Sequence, residues 1–160
     1  MEKMLNDYLQ YAKSQTEEKS VNFNLTETVL TLLKKYDPNK YQFNSSESFQ
    51  FNGRESLIKR CILNILENGL TYGDKIYVEI KKTINSLIIT IEDNGPGVPK
   101  SERANVFRPF YRIDKSRGLN KSGVGLGLSV AQDIAKSHGG NISLSEGKHK
   151  GLLVKISLPF

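Results

Sequence analysis

The chain has 160 residues, of which 38% are hydrophobic and 25% are charged, and its formal net charge is +6. This length fits one globular domain with at most a short appendage. No apolar run approaches the ~18 residues that a membrane span requires, and we expect no signal peptide. Cys61 is the only cysteine, which excludes an internal disulfide and, with two histidines in the chain, disfavours a Cys/His metal site.

Helices and strands are predicted from the spacing of apolar residues. Residues 1–18 form the first predicted helix, and a second helix through Leu33 ends before Asp37-Pro38. The remaining predicted elements are strands 41–43 and 49–51, a helix over 54–72, strands 76–80 and 87–91, a helix from Gly125 to about His138, and strands 142–144 and 152–158.

The order of these elements predicts an α+β two-layer sandwich. Its mixed, mostly antiparallel sheet is expected to be covered by helices on one face, with residues 19–160 forming the domain and residues 1–18 the appendage. The long helix should bury one apolar stripe, in which Cys61 is a reduced core residue. The stripe consists of Leu57, Ile58, Cys61, Ile62, Ile65 and Leu66.

Positive charge is concentrated in one segment. Residues 98–122 hold seven Lys and Arg residues against Glu102 and Asp114, a net charge of +5. This segment is either a solvated basic loop or a loop that faces an anion such as a nucleotide triphosphate. The motifs on both sides of it favour the second interpretation, and such a localised charge does not indicate nucleic-acid binding.

Two glycine motifs flank the basic segment. Gly123-Val-Gly125-Leu-Gly127-Leu128 opens a predicted helix, where unpaired N–H groups and the helix dipole favour an anion. Asp93-Asn94-Gly95-Pro96-Gly97 follows an apolar strand. The first motif lacks the third glycine of a dinucleotide-binding fingerprint, and the chain has no Gly-x4-Gly-Lys-Ser/Thr phosphate loop.

Two asparagines share one face of the predicted long helix. Asn64 and Asn68 are four residues apart, so their side chains project one above the other. They belong either to a solvated helix face or to a metal site, because a carboxamide oxygen suits Mg²⁺ that also binds water and phosphate.

These motifs together resemble the catalytic ATP-binding domain of bacterial sensor histidine kinases of the osmosensor-like class. Residues 63–72 resemble their N box, residues 93–97 their G1 box, residues 107–112 their F box and residues 123–128 their G2 box. The resemblance covers about residues 20–160. It implies the Bergerat fold, which gyrase, Hsp90 and MutL-type ATPases share, with ATP and Mg²⁺ as ligands.

The resemblance implies roles for the matching side chains. Asn68 would ligate Mg²⁺ and act in catalysis, and Asn64 would support the metal or the phosphates. Tyr72 would stack on the adenine. Asp93 would accept a hydrogen bond from the adenine amino group, which would also give a buried carboxylate a partner. Val106 would pack near the nucleotide.

The glycines and the basic segment would complete this site. Gly95 and Gly97 would let the backbone pass close to the base. Arg112 would reach the phosphates and act in catalysis, with weaker candidates in Lys115, Arg117 and Lys121. The glycine loop would hold phosphate through backbone N–H groups, and Phe107 and Phe110 would anchor the segment as a lid on the core. The loop residues concerned are Gly123, Gly125, Leu126, Gly127 and Leu128.

Three positions depart from related patterns. Val124 stands where Thr or Ser is frequent, and Thr71 where Lys is frequent. Asn64 stands where the gyrase and Hsp90 relatives carry a glutamate that activates water. Because an amide is no general base, we expect phosphoryl transfer to another acceptor rather than vigorous ATP hydrolysis.

The expected acceptor is a histidine on a dimerisation domain, which this chain lacks. His138 is interpreted as a histidine at a helix end and His149 as a loop residue. Residues 1–18 resemble the end of the second dimerisation helix. The resemblance implies a response regulator as a further partner of the parent kinase, and a cytoplasmic domain, without membrane contact, of a parent anchored in the inner membrane.

Two alternatives share this fold. One is a switch of the anti-sigma type, which binds a partner protein and phosphorylates serine. The other is a nucleotide-binding module with a regulatory role and no transfer.

Overall fold

The computed structural model describes residues 17–111 and 127–160, together with the helical residues Asn6, Leu9, Ala12 and Lys13. In this part of the chain the elements follow in the order β1 (Val21–Asn24), α1 (Leu25–Leu33), β2 (Tyr41–Ser45), β3 (Gln50–Gly53), α2 (Glu55–Tyr72), β4 (Ile76–Lys82), β5 (Ser86–Asp93), α3 (Gly127–Ser137), β6 (Asn141–Glu146) and β7 (Leu152–Pro159). Short 3₁₀ turns lie at Pro38–Lys40, Lys100–Glu102 and Asn105–Phe107.

A five-stranded sheet with the order β2-β4-β5-β7-β6 carries the fold. β2 pairs parallel with β4, and the other neighbours pair antiparallel. Alternate residues of β4, such as Ile76, Val78 and Ile80, are buried, because successive side chains of a strand point to opposite faces. The structure therefore confirms the predicted α+β architecture with a mixed, mostly antiparallel sheet.

The N-terminal part of the domain holds the main difference from the predicted elements. β1 was not predicted, because four residues with alternating character are too short a signal, and it pairs with β3 in a separate two-stranded sheet. The next helix begins where Asn24 caps it, since the Asn24 side chain accepts a hydrogen bond of 3.0 Å from the Glu27 N–H group.

The predicted apolar stripe of α2 faces the core. All six residues of the stripe are at most 2% exposed. Cys61 lies among them, and burial raises the pKa of its thiol to about 12. It therefore stays protonated, as expected for a core cysteine. Its Sγ atom is 3.5 Å from the carbonyl oxygen of Ala131, at the contact between α2 and α3.

The segment before β1 is attached to the start of α2. The Glu18 carboxylate accepts hydrogen bonds from the N–H groups of Ser56, at 2.8 Å, and Leu57, at 3.3 Å. It thereby satisfies two donors that an α-helix leaves unpaired at its N-terminus. Most of residues 1–16 lie outside the described residues, so the origin of this segment stays a prediction. Among the described helices, none is long and apolar enough to cross a membrane.

Candidate functional site

Asp93 ends β5 beneath α2, and its side chain is only 6% exposed. Its Oδ1 atom accepts hydrogen bonds from the N–H groups of Gly95, at 2.8 Å, and Leu152, at 3.3 Å. Oδ2 receives no hydrogen bond from any residue that the structure describes. Burial raises the pKa of this carboxyl, and the two backbone donors oppose that shift. The site thus holds a fixed carboxylate with one oxygen available to a ligand.

Gly69 allows α2 to lie directly over Asp93. A Cβ atom at this position would be 2.9 Å from Cγ2 of Ile76 and 3.6 Å from Cβ of Asp93. Asn68 is the neighbouring residue, half-buried, and Tyr72 follows within one turn of helix with 44% of its surface exposed. The fold therefore places the turn of α2 that contains Asn68 and Tyr72 next to Asp93, and the roles of these residues in binding stay predictions.

Contacts within the protein explain why residues 95 and 97, after Asp93, are glycines. A Cβ atom on Gly95 would be 2.6 Å from the carbonyl oxygen of Tyr72. Gly97 has a φ of +77°, which favours glycine, and lies against the backbone of Lys150 and Gly151. These contacts fold the segment after β5 under the end of α2, whereas contact with a base stays a prediction.

The start of α3 contacts Asn64, the other asparagine of the pair on α2. The Asn64 side chain donates a hydrogen bond of 3.3 Å from Nδ2 to the Gly127 carbonyl oxygen. Leu128, the next residue, packs partly buried against the core. The first turn of α3, whose N–H groups lack partners within the helix, therefore lies beside Asn64 on α2.

The segment before the undescribed residues corrects one prediction. Phe107 packs against the core, as expected of a lid anchor. Phe110 does not: it has a φ of +67° and 68% of its surface is exposed. The left-handed backbone after Pro109 places it in a turn, away from the core. Val106 is half-buried in the 3₁₀ turn that includes Phe107.

The remaining predicted phosphate contacts lie outside the described residues. These are Arg112, Gly123, Gly125 and Leu126, with the weaker candidates Lys115, Arg117 and Lys121. Their roles stay predictions.

Residues 53–160 match the family of histidine kinase-, DNA gyrase B- and HSP90-like ATPases. The chain belongs to this family. The sensor histidine kinase GtrS of Pseudomonas aeruginosa is 37% identical over 109 residues, which are 68% of this chain and 22% of GtrS. The sensor histidine kinase CpxA of Escherichia coli K12 is 34% identical over 108 residues, 67% of this chain and 24% of CpxA. The chain thus spans less than a third of these curated relatives.

Solved structures of histidine kinases share the fold. The mycobacterial sensor histidine kinase MprB matches with a TM-score of 0.75 at 24% identity, covering 88% of this chain and 97% of that one. Full-length ShkA in complex with AMPPNP matches with a TM-score of 0.83 at 18% identity, covering 99% of this chain and 35% of that one. These structures show the fold, whereas the family match and the sensor histidine kinase relatives identify the chain as an ATP-binding catalytic domain of the kind found in such kinases.

Both histidines of this ATPase domain have partners within the fold. Nδ1 of His138 donates to the carbonyl oxygen of Ile134 at 2.8 Å, and Nε2 accepts from the Arg54 N–H group at 3.0 Å. Burial lowers the pKa of His138, and the bond to Ile134 opposes that shift. His138 thus joins the end of α3 to the start of α2, in agreement with its interpretation as a histidine at a helix end.

Sequence reasoning missed the contacts that hold the end of β5, which involve residues on both sides of the strand. The Leu152 N–H group holds Asp93, and Gly151 leaves no room for a Cβ atom against the Asp93 carbonyl and carboxylate. Glu92 pairs with His149 on the opposite side of the strand. The sequence gives no sign of the contacts that Gly147 and Gly151 make, because spacing along the chain does not show which distant strand a turn will contact.

Proposed function

We propose that this domain binds Mg-ATP between α2 and α3 and donates the γ-phosphoryl group to a histidine of a separate dimerisation domain. One observation supports it above the others: the buried Asp93 carboxylate is fixed through Oδ1 and offers Oδ2 beneath Gly69 of α2, the helix that carries Asn68 and Tyr72. A buried acceptor of this kind calls for a donor, and the amino group of adenine is one.

In this proposal the base lies at the Asp93 end. Asp93 accepts the adenine amino group, and the exposed Tyr72 ring stacks on the base. Gly95 and Gly97 bring the backbone past the base, and Val106 packs against the nucleotide. Because guanine carries an oxygen in place of that amino group, the carboxylate favours adenine.

The phosphates and metal lie at the α3 end. Among the described residues no group of three or more His, Cys, Asp or Glu side chains could hold a metal. A single amide oxygen of Asn68 fits Mg²⁺ that enters with the phosphates and keeps several waters. When bound, Mg²⁺ neutralises charge on the β- and γ-phosphates. Asn64 supports this end, and its Nδ2 atom holds the start of α3. Phosphate contacts would come from Arg112 and from Gly123, Gly125, Leu126, Gly127 and Leu128.

The chemistry is transfer of a phosphoryl group. The bond between the γ-phosphorus and the β,γ-bridging oxygen breaks, a phosphorus–nitrogen bond to the imidazole forms, and the imidazole N–H proton passes to solvent, leaving ADP. Asn64 is not a base, so water is not activated at that position. His138 and His149 are held by partners in the fold, which favours an acceptor elsewhere.

The partners follow from this reaction. We propose that residues 1–18 continue from the dimerisation domain that carries the acceptor histidine. The parent kinase would then pass the phosphoryl group to a response regulator. We place the domain in the cytoplasm, on a parent anchored in the inner membrane.

Calorimetry tests the nucleotide site. Asp93→Ala and Asn68→Ala should each weaken Mg-ATP binding at least tenfold, about 1.4 kcal/mol, and only Asn68→Ala should reduce the dependence on Mg²⁺. The exposed Lys148→Ala serves as a control with unchanged affinity. Unchanged affinity in both site variants would refute the assignment. Incubation with γ-labelled ATP and a dimerisation domain bearing the acceptor tests transfer, and absence of label there at saturating ATP would refute it.

A further inference from the structure

Two successive carboxylates of β5 lie on opposite faces of the sheet. Asp93 faces the helices, and Glu92 faces the other side, as the alternation of a strand requires. Glu92 is nonetheless only 7% exposed, although that face carries no described helix. The turn between β6 and β7, rather than a helix, covers Glu92 on this face.

His149 in this turn is bound to Glu92 in two ways. Its backbone N–H group donates to Oε2 of Glu92 at 2.6 Å, and Nδ1 of the ring lies 2.9 Å from the same oxygen. The His149 ring stacks on Tyr77 with centroids 3.6 Å apart and an angle of 5° between the planes. Gly147 touches the Glu92 carboxyl so closely that a Cβ atom would overlap it.

The same turn also holds Asp93. The Gly147 N–H group donates to the Gly151 carbonyl at 3.0 Å, which closes the turn. Gly151 then lies against Asp93 with no room for a side chain, and the Leu152 N–H group donates to Oδ1. The turn therefore contacts both faces of the end of β5, with His149 on one side and Gly151 and Leu152 on the other.

We infer that Glu92 and His149 are positioning residues that fix the Asp93 carboxylate and thereby set the preference for adenine over guanine. This inference rests on the proposed function, because it assigns a base to Asp93. Oδ2 discriminates between an amino group and an oxygen only while the carboxylate keeps one orientation. The donor at Leu152 helps to fix that orientation, and the Glu92–His149 pair keeps this donor in place from the far side of the sheet.

The test compares the dissociation constants of ATP and GTP in the whole chain by calorimetry. His149→Ala should weaken ATP binding about threefold to tenfold and change GTP binding much less, so that the ATP/GTP preference falls. His149→Asn keeps a side-chain donor near Glu92 and should retain an intermediate preference. Lys148→Ala, an exposed neighbour in the same turn, should behave as the unmodified chain.

The outcomes separate this inference from the proposed function. If His149→Ala leaves both constants unchanged, or weakens ATP and GTP by the same factor, the positioning role is wrong. If the unmodified chain itself does not prefer ATP, or Asp93→Ala keeps the preference, the proposed base site is wrong instead. Should His149→Ala fail to fold by circular dichroism, His149→Asn decides: an unchanged ATP/GTP preference in that variant overturns the inference, and a reduced one supports it.

Discussion

Asn64 on α2 and Gly127 at the start of α3 are joined by a hydrogen bond of 3.3 Å from the side-chain amide to the backbone carbonyl. Cys61, three residues before Asn64 on α2, and Ala131, four residues after Gly127 on α3, continue the same contact in the core. Asn64 thus has a structural role at the contact between α2 and α3, where the proposed function also gives it a supporting role in binding. It sets the position of the first turn of α3, which the proposed function gives to phosphate.

Asn64→Ala should therefore weaken both stability and nucleotide binding. Loss of a half-buried hydrogen bond should lower the free energy of unfolding by about 1 kcal/mol in urea titrations. Mg-ATP affinity should fall further than this loosening alone would cause, because the phosphate end loses a supporting amide. Lys59→Ala, on the exposed part of the same helix, is the control. Equal ATP affinity in the two variants would remove Asn64 from the site.

Gly95→Ala and Gly127→Ala form a matched pair. At Gly95 the added methyl group would be 2.6 Å from the Tyr72 carbonyl oxygen, so we expect a loss of about 1–3 kcal/mol in the free energy of unfolding. At Gly127 the nearest atom among the residues that the structure describes would be 3.9 Å away, an ordinary contact, and alanine suits a helix. Denaturant unfolding should therefore show a loss at residue 95 and none at residue 127. Equal losses would mean that Gly95 is not held against α2.

Much of the fold could be predicted from the sequence, because the spacing of apolar residues within a helix or a strand is a local pattern. The stripe from Leu57 to Leu66 has helical spacing, and the strands from Ile76 to Ile91 alternate clearly. The sequence does not predict β1 or its pairing with β3, because a strand of four residues gives too short an alternating pattern. The parallel pairing of β2 with β4 depends on a crossover through α2, which no local pattern encodes.

The site was predictable only where a motif carried it. Asp93 and Asn68 belong to motifs that resemble those of a known family, and the structure places Gly69, the residue after Asn68, over Asp93. Leu152 and His149 belong to no such motif. His149 contacts Glu92 and Leu152 contacts Asp93, in each case across about sixty residues of sequence. The anchoring role of Phe110 is implied only by the resemblance, and the structure contradicts it, because an apolar side chain need not be buried.

Glu18→Ala should destabilise the domain through the N-terminus of α2. The Glu18 carboxylate accepts from two backbone N–H groups there, and loss of such a cap costs about 1 kcal/mol in the free energy of unfolding. Glu17→Ala removes the same charge from an exposed neighbour and is the matched control. Thermal or urea unfolding that is equally affected in the two variants would show that only net charge matters.

His138 should make the stability of the domain depend on pH. Burial lowers its pKa in the folded state below the ordinary value near 6.5. As pH falls through about 6.5, the unfolded chain binds a proton that the folded chain does not, so the free energy of unfolding decreases. The neutral ring is also the form whose Nε2 atom can accept from the Arg54 N–H group.

Urea unfolding at pH 7.5 and pH 5.5 checks this sign. The unmodified chain should lose more stability between the two pH values than His138→Gln, which has no titrating ring but keeps an acceptor for Arg54. Arg54 and Glu18 face His138 with opposite effects on its charge, and both remain in the variant. The difference between the two proteins therefore isolates the imidazole. A variant that loses as much stability as the unmodified chain at pH 5.5 would assign the pH dependence to other groups.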